Sequence, residues 1–197
     1  MLIEHRGASP QVAESAYIAP TAVISGAVTI ADGVRVLHGA VLSAEDGTIT
    51  VGENTIVMEN ALVRGRSGHD VRLGRSVMIG PHAHLNGADV GDGAFIATGA
   101  SLFPGSTVGA NAEVRINAVV QVNTTVAPGD VVPIGWVAVG TPAQKFSPDR
   151  HDEIWAVQRT LNFVGTVYRV SAAASMDDIM REQSEFYGAH QSDRVIG

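Results

Sequence analysis

The chain contains no cysteine, which excludes a disulfide framework, an iron–sulfur cluster, a thiolate zinc site and a cysteine nucleophile. Any bound metal must therefore rely on His, Asp or Glu. Aromatic residues make up only 5% of the 197 residues, whereas glycine occurs 22 times. A core built with so few large rings is a narrow one. Positive charge is also in deficit. Thirteen Lys and Arg against 20 Asp and Glu leave a formal charge of −7, so nucleic acid and anionic membrane surfaces are repelled overall and neither is an expected partner. No run of about 18 apolar residues occurs, so no membrane-spanning helix is expected. Residues Met1–Arg6 lack the basic-then-apolar layout of a signal peptide, and the expected location is cytoplasmic.

What the sequence does have is a repeat of six. Val90, Ile96, Leu102, Val108, Val114, Val120, Val126 and Val132 follow one another without a gap. Four places after the first six of these stand Ala94, Ala100, Ser106, Ala112, Ala118 and Thr124, all small. The same template fits Ile18 to Leu42, Val51 to Val63 and Leu73 to Leu85. A period of six suits neither a helix, whose apolar face returns at 3.6, nor a long strand, whose faces alternate at 2. It suits short strands joined by sharp corners, with one aliphatic and one small residue pointing inward and Gly or Asn relieving left-handed corners. Three hexapeptides close a coil of about 18 residues, and roughly six stacked coils give a column of roughly 30 Å. The expected fold is an all-β solenoid, a parallel β-helix over residues 1–143, followed by a C-terminal α-helical extension over 144–197.

Three interruptions break the register: Ser43–Thr48, Gly65–Asp70, and a shortening by one residue between Leu85 and Val90. Polar insertions in repeat proteins map to loops on one face. In the extension, Ser147-Pro148-Asp149 offers a helix start, and Ile154, Val157, Leu161, Val164 and Tyr168 recur at helical spacing. Ser175 with Asp178 predicts a capping box for a shorter helix that ends at Gly188. This tail is expected to pack on the β-helix or on a neighbouring subunit.

The unbroken hexapeptide run, together with Val-Met-Glu-Asn-Ala-Leu-Val-Arg (57–64) and Ile-Gly-Pro-His-Ala-His-Leu-Asn-Gly (79–87), resembles the hexapeptide-repeat superfamily with a left-handed parallel β-helix, and within it the γ-class carbonic anhydrase-like branch. The resemblance covers roughly residues 10–165. It implies a homotrimer with sites between subunits, and it alone supplies the left-handedness. The three positions that the resemblance assigns to zinc-ligating histidines carry Arg64, Pro81 and Asn86 here, and the family's Arg-Gly-Asp element becomes His38-Gly39-Ala40. Zinc is therefore disfavoured as a cofactor, because a zinc hydratase needs three protein ligands and an open water position.

The remaining chemistry gathers on a few residues. His82 and His84 stand at i and i+2, the spacing that places two side chains on one side of a strand, and are the candidate general bases. Arg64 lies one nominal coil before His82. With Asn86, Glu59 and Asn60 it makes up the candidate ligand-binding set, and Arg66, Arg72 and Arg75 add positive charge suited to a carboxylate or phosphate. A relocated metal site would draw on His69, His82 and His84, with His38, Asp70 or Glu59 as supplements.

Three functions follow. The first is a γ-carbonic anhydrase-like trimer that binds a small anionic molecule at its subunit interface without conventional CO2 hydration. The second is an acyltransferase that uses acetyl-CoA with an interface histidine as base. The third is a non-catalytic scaffold, since fold does not dictate function.

Overall fold

Each hexapeptide folds as a two-residue strand and a turn. In Phe95–Ile96, Ser101–Leu102 and Thr107–Val108 the second residue points inward and is buried. A computed structural model describes all 197 residues. Ile96 stacks on Ile79 of the coil before it and under Val114 of the coil after it, in parallel register. This ladder runs through the whole prism, so 35 buried apolar residues form one continuous core. The fold is the left-handed parallel β-helix of hexapeptide repeats.

The prism has three walls. The first runs from the strand Tyr17–Ile18 to Val131–Val132, the second from Leu2–Glu4 to Val137–Val139, and the third from Gln11–Val12 to Thr125–Val126. Eight strands stack on the second wall, against the six coils the repeat length suggests. The surplus arises because the first coil starts at Leu2, ahead of the first aliphatic match, and the last one reaches Val139.

The interruptions all leave from the corner between the second and third walls. Ala44 pairs with Gly65 and Ile49 with Val71, so the residues between them bulge outward as two nested loops while the core register resumes unbroken. Gly47 permits the nesting, since a Cβ there would stand 2.4 Å from the backbone of Arg66. The shortened segment turns the same corner through Gly87, whose φ of +56° and close approach to His69 exclude a side chain. A third loop, closed by a bridge between His5 and Ala8, sits at this corner on the first coil.

The extension forms α1 (His151–Gln158), α2 (Phe163–Tyr168) and α3 (Met176–Gly188), then a 3-10 turn (Ala189–Ser192) and a strand (Arg194–Val195). The helical spacing from Ile154 to Tyr168 predicts one helix where two are found. The break falls at Asn162, which takes a left-handed conformation. Two causes act together: only Ile154 of α1 is buried, so little apolar burial holds a longer helix in place, and Asn123 Nδ2 donates to the Leu161 carbonyl at 3.2 Å, turning it away from a helical partner. The Ser175 capping box opens α3 as its residues predict.

The tail runs back down the outside of its own prism. Phe163 meets Phe103, α3 reaches the loop corner through Gln183, and Val195 pairs with Ile3 of the first coil in antiparallel register. At the other end, Gln144–Phe146 folds antiparallel onto the last coil strand. No helix is long and apolar enough to cross a membrane.

The stacked ladder makes a core truncation costly. Ile96→Ala removes a fully buried side chain between two others and is expected to cost about 2–5 kcal/mol in urea denaturation, whereas Glu113→Ala on the outer face of the adjoining coil should stay within roughly 0.5 kcal/mol.

Candidate functional site

The sequence-derived site residues fall into two groups on the structure. Glu59, Asn60 and His82 lie at the corner between the first and second walls, where the His82 N–H donates to the Glu59 carbonyl at 3.0 Å. His82 is exposed and, like Asn60, left-handed, with φ of 58° for both. The i, i+2 rule that places His82 beside His84 holds only within a strand. His82 sits on the turn before it, so the two rings diverge.

Arg64, His84 and Asn86 do come together, on the outer face of the second wall. The loop insertion lengthens the coil, so Arg64 pairs with Asn86, 22 residues later, rather than with His82 at the nominal one-coil spacing. His84 projects from the same strand two residues before Asn86. Arg64 Nε, His84 Nε2 and Asn86 Oδ1 are all buried and none has a hydrogen-bond partner. Burial, and then the positive charge of Arg64, push the His84 pKa down, so its ring is neutral near pH 7 and able to accept a proton or a hydrogen bond.

The other candidates are elsewhere. His38 Nδ1 is 2.9 Å from Thr21 Oγ1. His69 lies at the loop corner, with its pKa lowered by burial and then by Arg169 and Arg66. Asp70 accepts from the Thr48 N–H at 2.8 Å. Arg72 and Arg75 are taken up in exposed ion pairs with Asp89 and Asp92. His69, His82 and His84 therefore do not converge, and the group of three His, Asp or Glu side chains that does is His5, Glu45 and His190.

That second cluster joins the first coil, an inserted loop and the tail. His5 and Glu45 are only 1% and 4% exposed. Asp193 bridges the two imidazoles, 2.6 Å from His5 Nδ1 and 2.9 Å from His190 Nδ1. Glu45 Oε2 lies 2.9 Å from His190 Nε2, while Glu45 Oε1 accepts from Ser43 Oγ at 2.9 Å and lies 3.6 Å from Arg64 Nε. Arg64 Nη1 donates to the Tyr187 hydroxyl at 3.4 Å, and the Tyr187 ring stacks on His190. The two groups thus share Arg64. Sequence reasoning marked the Ser43–Thr48 loop as a polar insertion but had no means to join Glu45 to His5 and His190, which lie 185 positions apart.

Next to it, three guanidinium groups surround the Phe186 ring: Arg66 at 4.1 Å, Arg6 at 5.2 Å and Arg169 at 5.8 Å from its centroid. The negative face of an aromatic ring accommodates such cations. Asp46 balances them. It accepts from Arg169 at 2.6 Å and from the Ser67 N–H at 3.0 Å.

No protein-family model matches the chain. It is 36% identical over 88 residues to gamma carbonic anhydrase 1, mitochondrial, of Arabidopsis thaliana, a stretch covering 42% of this chain and 32% of that protein. To gamma carbonic anhydrase-like 1, mitochondrial, of the same plant it is 46% identical over 54 residues, 27% and 21% of the two chains. The chain thus spans about a third or less of the length of the curated relatives it matches. Similar solved structures include a hexapeptide transferase family protein from Anaplasma phagocytophilum, at 22% identity over 96% of this chain and 93% of that one, with a TM-score of 0.41. Another is a perosamine N-acetyltransferase variant from Caulobacter crescentus in complex with CoA and GDP-perosamine, at 26% identity over 70% and 56%, with a TM-score of 0.36. The chain is a hexapeptide-repeat β-helix and is similar over part of its length to γ-class carbonic anhydrases.

The Asp46 contact makes tail attachment sensitive to acid. Burial raises the Asp46 pKa, but the hydrogen bonds from Arg169 and Ser67 and the charge of Arg169 outweigh it and hold the carboxyl below its ordinary value. A depressed folded value stabilises above the unfolded pKa of about 3.9 and is lost as pH falls through the folded one. The difference in melting temperature between the wild type and Asp46→Asn should accordingly be full at pH 6 and shrink below about pH 4.

Proposed function

We propose that this chain is a γ-carbonic anhydrase-like homotrimer that does not use the family's three-histidine zinc centre and instead binds a small anion against the second wall. The zinc positions carry a guanidinium, a proline ring and an amide at Arg64, Pro81 and Asn86. A guanidinium is never deprotonated in proteins and a proline side chain has no donor atom, so these three do not fit the metal.

One observation carries the anion reading. Arg64 Nε, His84 Nε2 and Asn86 Oδ1 are buried on one wall without hydrogen-bond partners, Arg64 Nε having only the 3.6 Å ion contact with Glu45 Oε1. Such atoms cost about 1–3 kcal/mol each until something satisfies them. Bicarbonate would accept from Arg64 Nε and from the Nε2–H tautomer of the neutral His84 ring, and its O–H would donate to Asn86 Oδ1. Self-association is supported by the first wall, where Met78 and Phe95 stack as exposed neighbours in register next to Ile56. An unpaired apolar column of this kind suits a subunit interface.

Thermal denaturation in the presence of 10 mM bicarbonate, acetate or phosphate tests the reading. A dissociation constant of about 1 mM gives a stabilisation of roughly 1.4 kcal/mol, or about 3–5 °C for a chain of this size. Arg64→Gln and Asn86→Ala should remove the shift, and His82→Ala should keep it. No shift with any of the three anions, or a shift with acetyl-CoA alone, would overturn the proposal.

A further inference from the structure

The cluster of His5, Glu45, His190 and Asp193 contains a mismatch that its own protons do not resolve. Asp193 has one oxygen against each Nδ1 atom. Each ring therefore donates its Nδ1–H to that carboxylate, which leaves both Nε2 atoms as acceptors. Those two atoms face Glu45 Oε2, itself an acceptor, at 2.9 Å for His190 and 4.0 Å for His5. Three lone pairs then meet around the buried Glu45 carboxylate. Something positive has to stand among them.

A proton on His190 would satisfy one contact. It would bridge His190 to Glu45 and leave His5 Nε2, whose side chain is fully buried, without a partner. A divalent cation would satisfy all three at once. We infer that His5 Nε2, His190 Nε2 and Glu45 Oε2 form a binding site for a divalent first-row transition metal, with Asp193 orienting both imidazoles from behind.

Several features fit this assignment. The three ligand atoms lie within 4.8 Å of one another. Ligands at about 2.0–2.2 Å from a shared ion stand roughly 3–3.5 Å apart, so His5 has to close on Glu45 by less than about 1 Å from 4.0 Å, and no ligand pair, all within 4.8 Å, by more than about 1.8 Å. The imidazole rings are stacked, with centroids 4.3 Å apart and planes 23° from parallel. Capture also requires the His190 ring to tilt, and its place on the 3-10 turn at the partly exposed tail allows that. Ser43 and Arg64 hold the other oxygen of Glu45, which leaves Oε2 for the ion. Two imidazoles and one carboxylate select transition metals over the oxygen-seeking Ca²⁺ and Mg²⁺.

The charge count agrees. Glu45 and Asp193 bring two negative charges and Arg64 returns one, so the cluster carries an excess of one negative charge before any cation arrives. A pocket of about 260 Å³ walled by His5, Arg6, Ala44, Glu45 and Asp46 adjoins the site, which gives the ion's remaining positions access to water. The two sites share Arg64 but use different atoms, since Arg64 faces Glu45 Oε1 and the ion would take Oε2.

The test begins with protein produced without a histidine tag or chelator, loaded with excess Co²⁺ and desalted. About one ion per chain should remain by elemental analysis, with visible cobalt absorption bands and a melting temperature that EDTA lowers. His190→Ala, on the partly exposed tail, and Glu45→Gln should each reduce retained cobalt at least tenfold. His69→Ala, in the adjoining loop, should retain it. Wild-type protein that holds less than about 0.1 ion per chain and shows no response to EDTA would overturn the assignment, whatever the variants do. Retention undiminished in folded His190→Ala would do the same. Anion-induced stabilisation measured on the same samples reports on the second-wall site separately, so failure of either reading leaves the other standing.

Discussion

One constraint governs the structure: every sixth residue must be an aliphatic side chain that lands on its counterpart one coil away. The bore tolerates one such residue and one small partner per wall, as Ile79, Ile96 and Val114 show along one edge of the core. Because parallel pairing fixes which residue lies above which, a slip in any coil would turn the whole ladder inside out. Inserted residues can therefore leave only at corners. The corners themselves keep a strict fit, with the Asn60 and Asn117 side chains filling the space above Gly39 and Gly99 where a Cβ would stand.

This restriction concentrates the chemistry. The walls are regular, and most of the polar novelty of the chain is pushed to the corner between the second and third walls. Three loops emerge there on the first coil and on the two coils that carry Glu45 and Arg66. The tail then lies across them and brings His190, Asp193 and Phe186 to groups that the loops have already displayed. An acidic chain can hold Arg6, Arg66 and Arg169 around one ring because Phe186 and Asp46 both sit among them. In this way the tail completes the corner, and the corner fastens the tail.

The repeat was legible because it is written in local spacing: Val90 to Val132 needs only a ruler of six. Its consequences for side-chain direction were legible too, since His84, Asn86 and Arg64 face outward as alternation demands. The pairing of Arg64 with Asn86 was not, because the insertion length sets how far along the next coil the chain resumes, and no local signal gives the depth of a loop. His82 shows a second limit. A histidine in a left-handed corner normally filled by Asn or Gly leaves the strand pattern by a single residue. The cluster of His5, Glu45 and His190 shows a third. Only the path of the tail brings those residues together, and that path depends on a break at Asn162 that helical periodicity runs straight through.

A stack of identical coils has no intrinsic reason to stop. Its first and last strands would each present a row of unpaired amides and carbonyls matched to the other end of the next molecule. Here the second wall is closed at both ends by strands running the wrong way: Arg194–Val195 beside the first coil and Gln144–Phe146 on the last. An antiparallel lip offers a different hydrogen-bond spacing from the parallel ladder behind it. The reversal of chain direction at each end of this wall thus opposes end-to-end growth, and loss of either lip would widen the exposed template for filaments.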